Sequence, residues 1–279
     1  NITGRAMRGD DYNMGHVESS HFITALMLIA PTFENGLDLR WDSAPSQPYL
    51  MMTAALLREA GIEVELTHKS VRIAPGQSPK ETELHMEPDW SAVAFWCQAV
   101  ALSEQADILL PGFTADSLQG DSRVKDYFEP MGVKHTFTEV GLRLEKRAYL
   151  PPGELIYNLI GEPDLAQALI LTMIMLRIPF EVNGLSTLTG KETDRIKALV
   201  DIASTFGVHL QSTPSSIRCK SYPEAFKQPE SPFDSLEDHR VAMSLAPLSL
   251  RFPLTINNPE VTSKSYPEFW NHWSEATGK

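Results

Sequence analysis

Apolar residues along this chain fall into two alternating kinds of helical stretch, separated by short runs that alternate with a period of two. Four stretches are apolar on nearly every side: Ser20 to Ile29, Trp90 to Leu102, Asp164 to Leu176 and His239 to Leu250, rich in Ala, Leu and Met with few charges. Helices of that composition are expected to be buried on most sides. The second kind is amphipathic and stops at glycine. Leu57-Arg58-Glu59-Ala60-Gly61-Ile62, Phe128-Glu129-Pro130-Met131-Gly132-Val133 and Ser204-Thr205-Phe206-Gly207-Val208 each place Gly just past the last turn. A residue without a Cβ is preferred there because the chain turns left-handed. Alternating text follows each glycine and predicts a strand: Glu63–Leu66, Lys134–Phe137 and His209–Gln211.

The two helix series run in step, so the pattern is a repeat. Gly61, Gly132 and Gly207 stand 71 and 75 residues apart. Each unit holds one apolar helix, one amphipathic helix and several strands, and self-similarity of this kind constrains architecture more than any single helix does. The expected fold is α/β, with units side by side, mixed sheets outside and apolar helices inside. A boundary is expected near Lys80 to Pro88, after the Pro/Gly/Ser text at Pro75 to Ser78. One unit precedes it and most of three follow.

Composition narrows the partners. With 279 residues the chain is long enough for two ordinary domains, and its 42% hydrophobic and 22% charged content is that of a globular protein. A net charge of −12 and a pI near 5.1 argue against nucleic acid as a bulk partner. A local pocket can still oppose that charge and hold a small anion. Cys97 and Cys219 stand in no metal-type spacing, so a reduced, cytoplasmic setting is expected and no disulfide framework. Leu165 to Ile178 is the longest apolar run, broken by Gln167 and Arg177, and no membrane partner is expected. The chain opens at Asn1 without a secretory-signal pattern and without Met, and the expectation is that this is not the gene's own start.

Candidate chemistry concentrates at predicted helix starts. Lys191-Glu192-Thr193-Asp194-Arg195, Asp238-His239-Arg240 and Thr262-Ser263-Lys264 each put cations at or near one. A helix N-terminus already favours anions through its free N–H groups, so added Lys and Arg there point to a phosphate or carboxylate ligand. Lys191 and Arg195, four apart, are expected to share a helix face. Charged, solvated helix starts would read the same way in the first cluster. In the second, Asp238 is a natural N-cap, and Arg240 leads into an apolar helix where a random surface cation is out of place. Ser19-Ser20-His21 and Ser46-Gln47-Pro48-Tyr49 offer hydroxyls that suit either phosphate binding or plain capping. Asp164, after Pro163, reads equally as an N-cap or as a general base. The closing aromatics, Tyr266, Phe269 and Trp270, read as core.

In this order, Ser19-Ser20-His21-Phe22, Ser46-Gln47-Pro48-Tyr49, Leu118-Gln119-Gly120-Asp121, Pro163-Asp164, Lys191-Glu192-Thr193-Asp194-Arg195, Asp238-His239-Arg240-Val241-Ala242-Met243 and Thr262-Ser263-Lys264-Ser265-Tyr266-Pro267 resemble the 3-phosphoshikimate 1-carboxyvinyltransferases, the EPSP synthases. The resemblance runs from about Met14 to Trp270. It implies an inside-out α/β barrel, the enolpyruvyl transferase fold, with two domains of three repeat units each. Residues 1–84 would then be the last unit of an incomplete N-terminal domain, and residues 85–279 a C-terminal domain of about three units.

The implied reaction moves the enolpyruvyl group of phosphoenolpyruvate to the 5-hydroxyl of shikimate-3-phosphate and releases phosphate, in the shikimate pathway of aromatic amino-acid and chorismate biosynthesis. The resemblance implies no metal or organic cofactor, a monomer, and only these two small-molecule partners. Ser19, Ser20, His21, Ser46, Tyr49, Asp164 and Lys191 would hold shikimate-3-phosphate. His21, Arg195, Arg240 and Lys264 would hold phosphoenolpyruvate. Asp164 would take the hydroxyl proton, and Glu192 would protonate the methylene carbon with help from Lys264. His21 departs from the family's usual Gln, and its charge varies near neutral pH. The family's early lysine, its Asn-Ala-Gly-Thr segment and one phosphoenolpyruvate arginine fall outside these 279 residues, so the chain alone is expected to be inactive. Two alternatives remain: the related UDP-N-acetylglucosamine enolpyruvyl transferases, and a non-catalytic substrate-binding fragment.

Overall fold

The computed structural model describes residues 7–278. The reading of the opening residue, Asn1, lies outside them. The chain divides into two compact units, Asn1–Glu87 with Leu118–Gly120, and Pro88–Ser117 with Asp121–Lys279. The main division thus lies at Glu87/Pro88, and a second passage at Leu118–Gly120 joins the first unit. There the backbone N–H of Leu118 donates to Glu87 Oε1 at 2.8 Å, a contact that no sequence pattern announces.

The first unit runs β1 (Asp11–Asn13), α1 (Ser20–Ile29), β2 (Leu37–Arg40), α2 (Gln47–Glu59), β3 (Val64–Leu66) and β4 (Ser70–Ile73). Its sheet has the order β1-β2-β4-β3, with β1 and β2 parallel and the other pairs antiparallel. Leu37 and Leu39 of β2 turn inward while Arg40 turns out, the period of two that builds one apolar sheet face. Ile23, Met27, Leu50 and Ala54 of the helices fill the same core with Trp41, Val71 and Ile73.

The second unit begins with α3 (Trp90–Leu102), β5 (Asp107–Pro111), α4 (Val124–Phe128), β6 (Val133–Phe137) and β7 (Gly141–Lys146). These strands pair in the order β5-β7-β6. Next come β8 (Leu155–Asn158), α5 (Ala166–Met175), β9 (Phe180–Asn183), α6 (Arg195–Thr205), β10 (Gln211–Thr213) and β11 (Ser216–Cys219). Their sheet, β8-β9-β11-β10 with β8 and β9 parallel, repeats the first unit strand for strand. A shorter copy closes the chain: β12 (Phe233–Asp234), α7 (His239–Leu245), β13 (Ile256–Asn257) and α8 (Phe269–Thr277), with β12 and β13 parallel. The repeated α/β unit expected from the glycine spacing is present.

Gly61, Gly132 and Gly207 all have left-handed φ, between 78° and 84°. At Gly132 a Cβ would lie 2.8 Å from the Arg147 carbonyl oxygen, so a side chain has no room. The apolar helices of the second unit form its centre: every residue of α5 is buried, and α3 buries all but Ala92. The closing aromatics belong to the same core, with Phe269 stacked on Trp273 and edge-on to Phe95.

Several local expectations need correction. The stretch from Asp164 to Leu176 is not one α-helix, because Pro163–Leu165 is a 3-10 turn and α5 starts at Ala166. Likewise α7 gives way to a 3-10 turn at Ala246, next to Pro247, whose missing N–H suits a break. The amphipathic helix before Gly132 is cut to α4 plus a turn by Pro130. His209 and Leu210 precede β10, which starts at Gln211.

Candidate active site

Parallel strand pairs set where the polar loops lie. In open α/β sheets, ligands bind beyond the carboxyl ends of parallel strands. Beyond β1 and β2 of the first unit, His16 bridges Ser43, and the Val17 N–H donates to the Ser43 carbonyl at 2.9 Å. Three residues further along these two loops come Ser19 and Ser46, at the starts of α1 and α2. Ser19 is an N-cap: its Oγ accepts from the His21 N–H at 3.3 Å and lies 2.9 Å from His21 Nδ1. Ser20 is buried and His21 exposed. Ser46 does not cap α2 through its side chain, and its φ of 54° is a left-handed conformation that a non-glycine residue adopts at a cost. Tyr49 follows in the first turn, its N–H bonded to the Ser46 carbonyl at 3.0 Å. The capping reading therefore holds for Ser19 and fails for Ser46.

The second unit repeats the arrangement with charges. Beyond β8 and β9 lie Asp164 and the segment from Lys191 to Arg195; beyond β12 and β13 lie Asp238 to Arg240 and Lys264. Arg195 opens α6 but is buried, its side chain 1% exposed. A guanidinium out of water must be paired. Its Nε donates to Asp238 Oδ2 at 2.7 Å and Nη2 to Asp238 Oδ1 at 3.2 Å, forming a fork. Nη1 reaches Asp164 Oδ1 at 2.8 Å, and Nη2 also reaches Glu192 Oε2 at 3.0 Å.

Three further cations face the same carboxylates. Lys191 Nζ lies 3.3 Å from Asp164 Oδ1, and Arg240 Nη2 lies 3.3 Å from Asp164 Oδ2. Lys264 Nζ bonds Glu192 Oε1. Four cations thus meet three carboxylates, reversing locally the negative balance of the whole chain.

Neither Lys191 nor Lys264 stands at the start of a helix. Lys191 precedes α6 in extended conformation, so it shares no helix face with Arg195. Asp194 takes the N-cap instead, accepting from the Lys197 N–H at 3.0 Å, and that forces the helix to begin after it. The two cations still meet, at Asp164. Lys264 opens no helix either; it ends the 3-10 turn Pro259–Lys264. Asp164 makes no side-chain cap bond, which removes the bland explanation for it. Asp238 does cap α7, accepting from the Arg240 N–H at 2.9 Å, but its fork to Arg195 is a second duty that the sequence reading missed. A capping carboxylate followed by His239, Arg240 and the apolar run Val241-Ala242-Met243 was the available signal.

The cations govern ionisation. Burial pushes Asp164 up, but the facing charges of Arg240, Lys191 and Arg195 and a hydrogen bond from Lys191 outweigh it and hold the carboxyl well below its usual range. For Glu192, burial also acts upward; the Lys264 hydrogen bond, a backbone hydrogen bond and the charges of Arg195 and Lys264 bring it down to about 2. His239 is buried, with Nδ1 3.8 Å from Glu192 Oε1. Burial, then the neighbouring Arg240 charge, lowers its proton affinity, so its ring is neutral near pH 7. Both carboxylates are therefore ionised and tethered. Among the described residues no group of three or more His, Cys, Asp or Glu side chains is placed to hold a metal ion.

The sequence profile of the EPSP synthases, 3-phosphoshikimate 1-carboxyvinyltransferases, matches residues 1–273. The chain belongs to the EPSP synthase family. It is 36% identical to the 3-phosphoshikimate 1-carboxyvinyltransferase of Bacteroides fragilis strain YCH46 over 277 residues, covering 99% of this chain and 67% of that protein. The Haemophilus influenzae Rd enzyme of the same name is 28% identical, with 98% of this chain and 63% of that one covered. In fold the chain is similar to the EPSP synthase of Acinetobacter baumannii, with a TM-score of 0.73 and 20% identity over 98% of this chain and 63% of that one. The enolpyruvyl transferase NikO of Streptomyces tendae gives a TM-score of 0.66 at 15% identity, over 92% of this chain and 59% of that one. The chain thus spans about two thirds of the length of its EPSP synthase relatives. Among the described residues no helix is long and apolar enough to cross a membrane.

Proposed function

We propose that the charged cluster of the second unit is the part of an EPSP synthase active site where both anionic substrates meet the proton-transfer groups. The observation that carries this reading is Asp164, bonded or ion-paired to Lys191 and Arg195 from one segment and to Arg240 from another, with Glu192 tied in through Arg195 and Lys264 through Glu192. Fixed cations of this kind suit a phosphate and a carboxylate, and two carboxylates among them suit proton transfer. Lys191 and Asp164 hold shikimate-3-phosphate. Within the first unit, Ser19, Ser20, His21, Ser46 and Tyr49 are the groups that family membership assigns to substrate binding. Arg195, Arg240 and Lys264 hold phosphoenolpyruvate. On this reading residues 1–84 belong to the family's N-terminal domain and residues 85–279 to its C-terminal domain.

In the reaction, the 5-hydroxyl oxygen bonds to C2 of phosphoenolpyruvate while its proton passes to Asp164. The methylene carbon takes a proton from Glu192, assisted by Lys264. The C2–O bond to phosphate then breaks with its electron pair leaving on the phosphate, which takes the proton held by Asp164, while the methyl group returns a proton to Glu192 and the enolpyruvyl ether remains.

The 279 residues alone are expected to bind shikimate-3-phosphate without measurable turnover, since they span about two thirds of the relatives that carry this name. Phosphate release and shikimate-3-phosphate binding, measured beside the Bacteroides fragilis relative, test this. Binding that is lost in Asp164→Asn, with no phosphate release, is the expected result. Turnover near that of the relative would contradict the binding-only reading, and absence of binding would contradict the site.

A further inference from the structure

Every cation that would receive a substrate anion in this cluster already faces a carboxylate of the protein. Lys191 and Arg240 lie 3.3 Å from the two oxygens of Asp164, and Lys264 bonds Glu192. The same two carboxylates are the groups assigned to move protons. An ionised, cation-bound carboxylate is a poor base and holds no proton to give, so the assigned chemistry and this pairing are in tension. The tension resolves if substrate and carboxylate compete for the same cations. We propose that Asp164 and Glu192 act as internal stand-ins for the substrate anions. A phosphate or carboxylate bound at Lys264, Arg240 and Lys191 draws these cations away and thereby releases Glu192 and Asp164 for proton exchange. The proposal rests on the anion-site reading above.

The geometry separates a fixed from an exchangeable part. Arg195 is buried and clamped by both oxygens of Asp238, which is itself wholly buried. It therefore stays in place, keeping one bond each to Asp164 and Glu192 as a tether. Lys264 is the opposite case: its side chain is 58% exposed, on the turn Pro259–Lys264, and can swing to a ligand at little cost. Glu192 is faced by Lys264 from that turn, by Arg195 from α6 and by His239 from α7. Asp164 is faced by Lys191, Arg195 and Arg240. Moving Lys264 from Glu192 to an anion removes the largest downward influence, leaving burial, which acts upward, against a backbone hydrogen bond and the Arg195 charge, which act downward. The carboxyl then gains proton affinity when the anion arrives, and its enlarged protonated fraction supplies the proton later given to carbon.

Sulfate is the probe, because it mimics phosphate and exchanges no proton in the working range. The chain is labelled with carboxyl-13C glutamate, the Glu192 signal is assigned with Glu192→Gln, and pH is lowered from 7 to about 4 in chloride and in sulfate of equal ionic strength. In chloride, Glu192 is expected to stay ionised throughout. In sulfate its midpoint should rise above the value of about 2 that it has while paired with Lys264, so that protonation begins within this range. Lys264→Met should raise the midpoint in chloride, without any anion, and this arm does not depend on the fold of Glu192→Gln. If sulfate perturbs labelled Arg240 and Lys264 while Glu192 stays ionised, the exchange is wrong and the anion site stands. If sulfate perturbs neither cation up to about 100 mM, where even a binding free energy of roughly 1.4 kcal/mol would show, both fall.

Discussion

The helices α1 and α5 occupy the same place in two copies of one topology, yet only one of them is enclosed. Each follows the first strand of a parallel pair and precedes the second. Both are ten residues long and mostly apolar. All of α5 is buried, whereas α1 buries only Ser20, Ile23 and Met27 and leaves Phe22 and Leu28 more than half exposed. The loops ahead of them differ as well. The one before α1 offers hydroxyls, and the one before α5 offers a carboxylate held by three cations. One scaffold thus carries two chemistries. Burial depends less on a helix's own composition than on how many sister units surround it, and α5 packs with α3, α6 and α7.

The most severe way to break the charged copy is Asp238→Ala. It removes the α7 cap and leaves the buried Arg195 without its fork. A buried charge stripped of a partner costs about 3–5 kcal/mol, so the unfolding free energy of the second unit, measured by urea denaturation, should fall by that much. A loss under about 1 kcal/mol would mean that Arg195 is held by Asp164 and Glu192 alone.

The packing contrast predicts a smaller but cleaner difference. Leu169→Ala in α5 opens a cavity in a closed core and should cost about 2–5 kcal/mol. Leu28→Ala in α1, at a site already 57% exposed, should stay within about 0.5 kcal/mol. Equal losses by chemical denaturation would show that α1 is as enclosed in solution as α5.

Much of this contrast was legible in the sequence. Apolar text at 20–29 and 90–102 gave helices with the observed ends, because each begins at a polar capping residue, Ser19 or Asp89, whose side chain accepts from the first turn. The three glycines marked the turns that make the repeat visible. What the sequence hid was tertiary. Nothing in the text distinguishes α1 from α5 in exposure, since both are equally apolar. The geometry that brings Lys191 to Asp164 is an extended loop, not the four-residue helical spacing that suggested it. Asp238 looked like a cap and nothing more, because its fork partner lies 43 residues away.

The most direct test of the site itself is a pair of dissociation constants measured by calorimetry for each ligand separately. Arg240→Lys keeps the charge and loses the planar fork, so it should weaken phosphoenolpyruvate and spare shikimate-3-phosphate. Lys191→Met should do the reverse. Loss of one charge-assisted contact is expected to change each affected constant by roughly 10- to 150-fold, from about 1.5–3 kcal/mol. That crossed pattern is the predicted result. Equal weakening of both ligands by both variants would contradict it, reducing the cluster to a structural salt-bridge network with no division between two substrate anions.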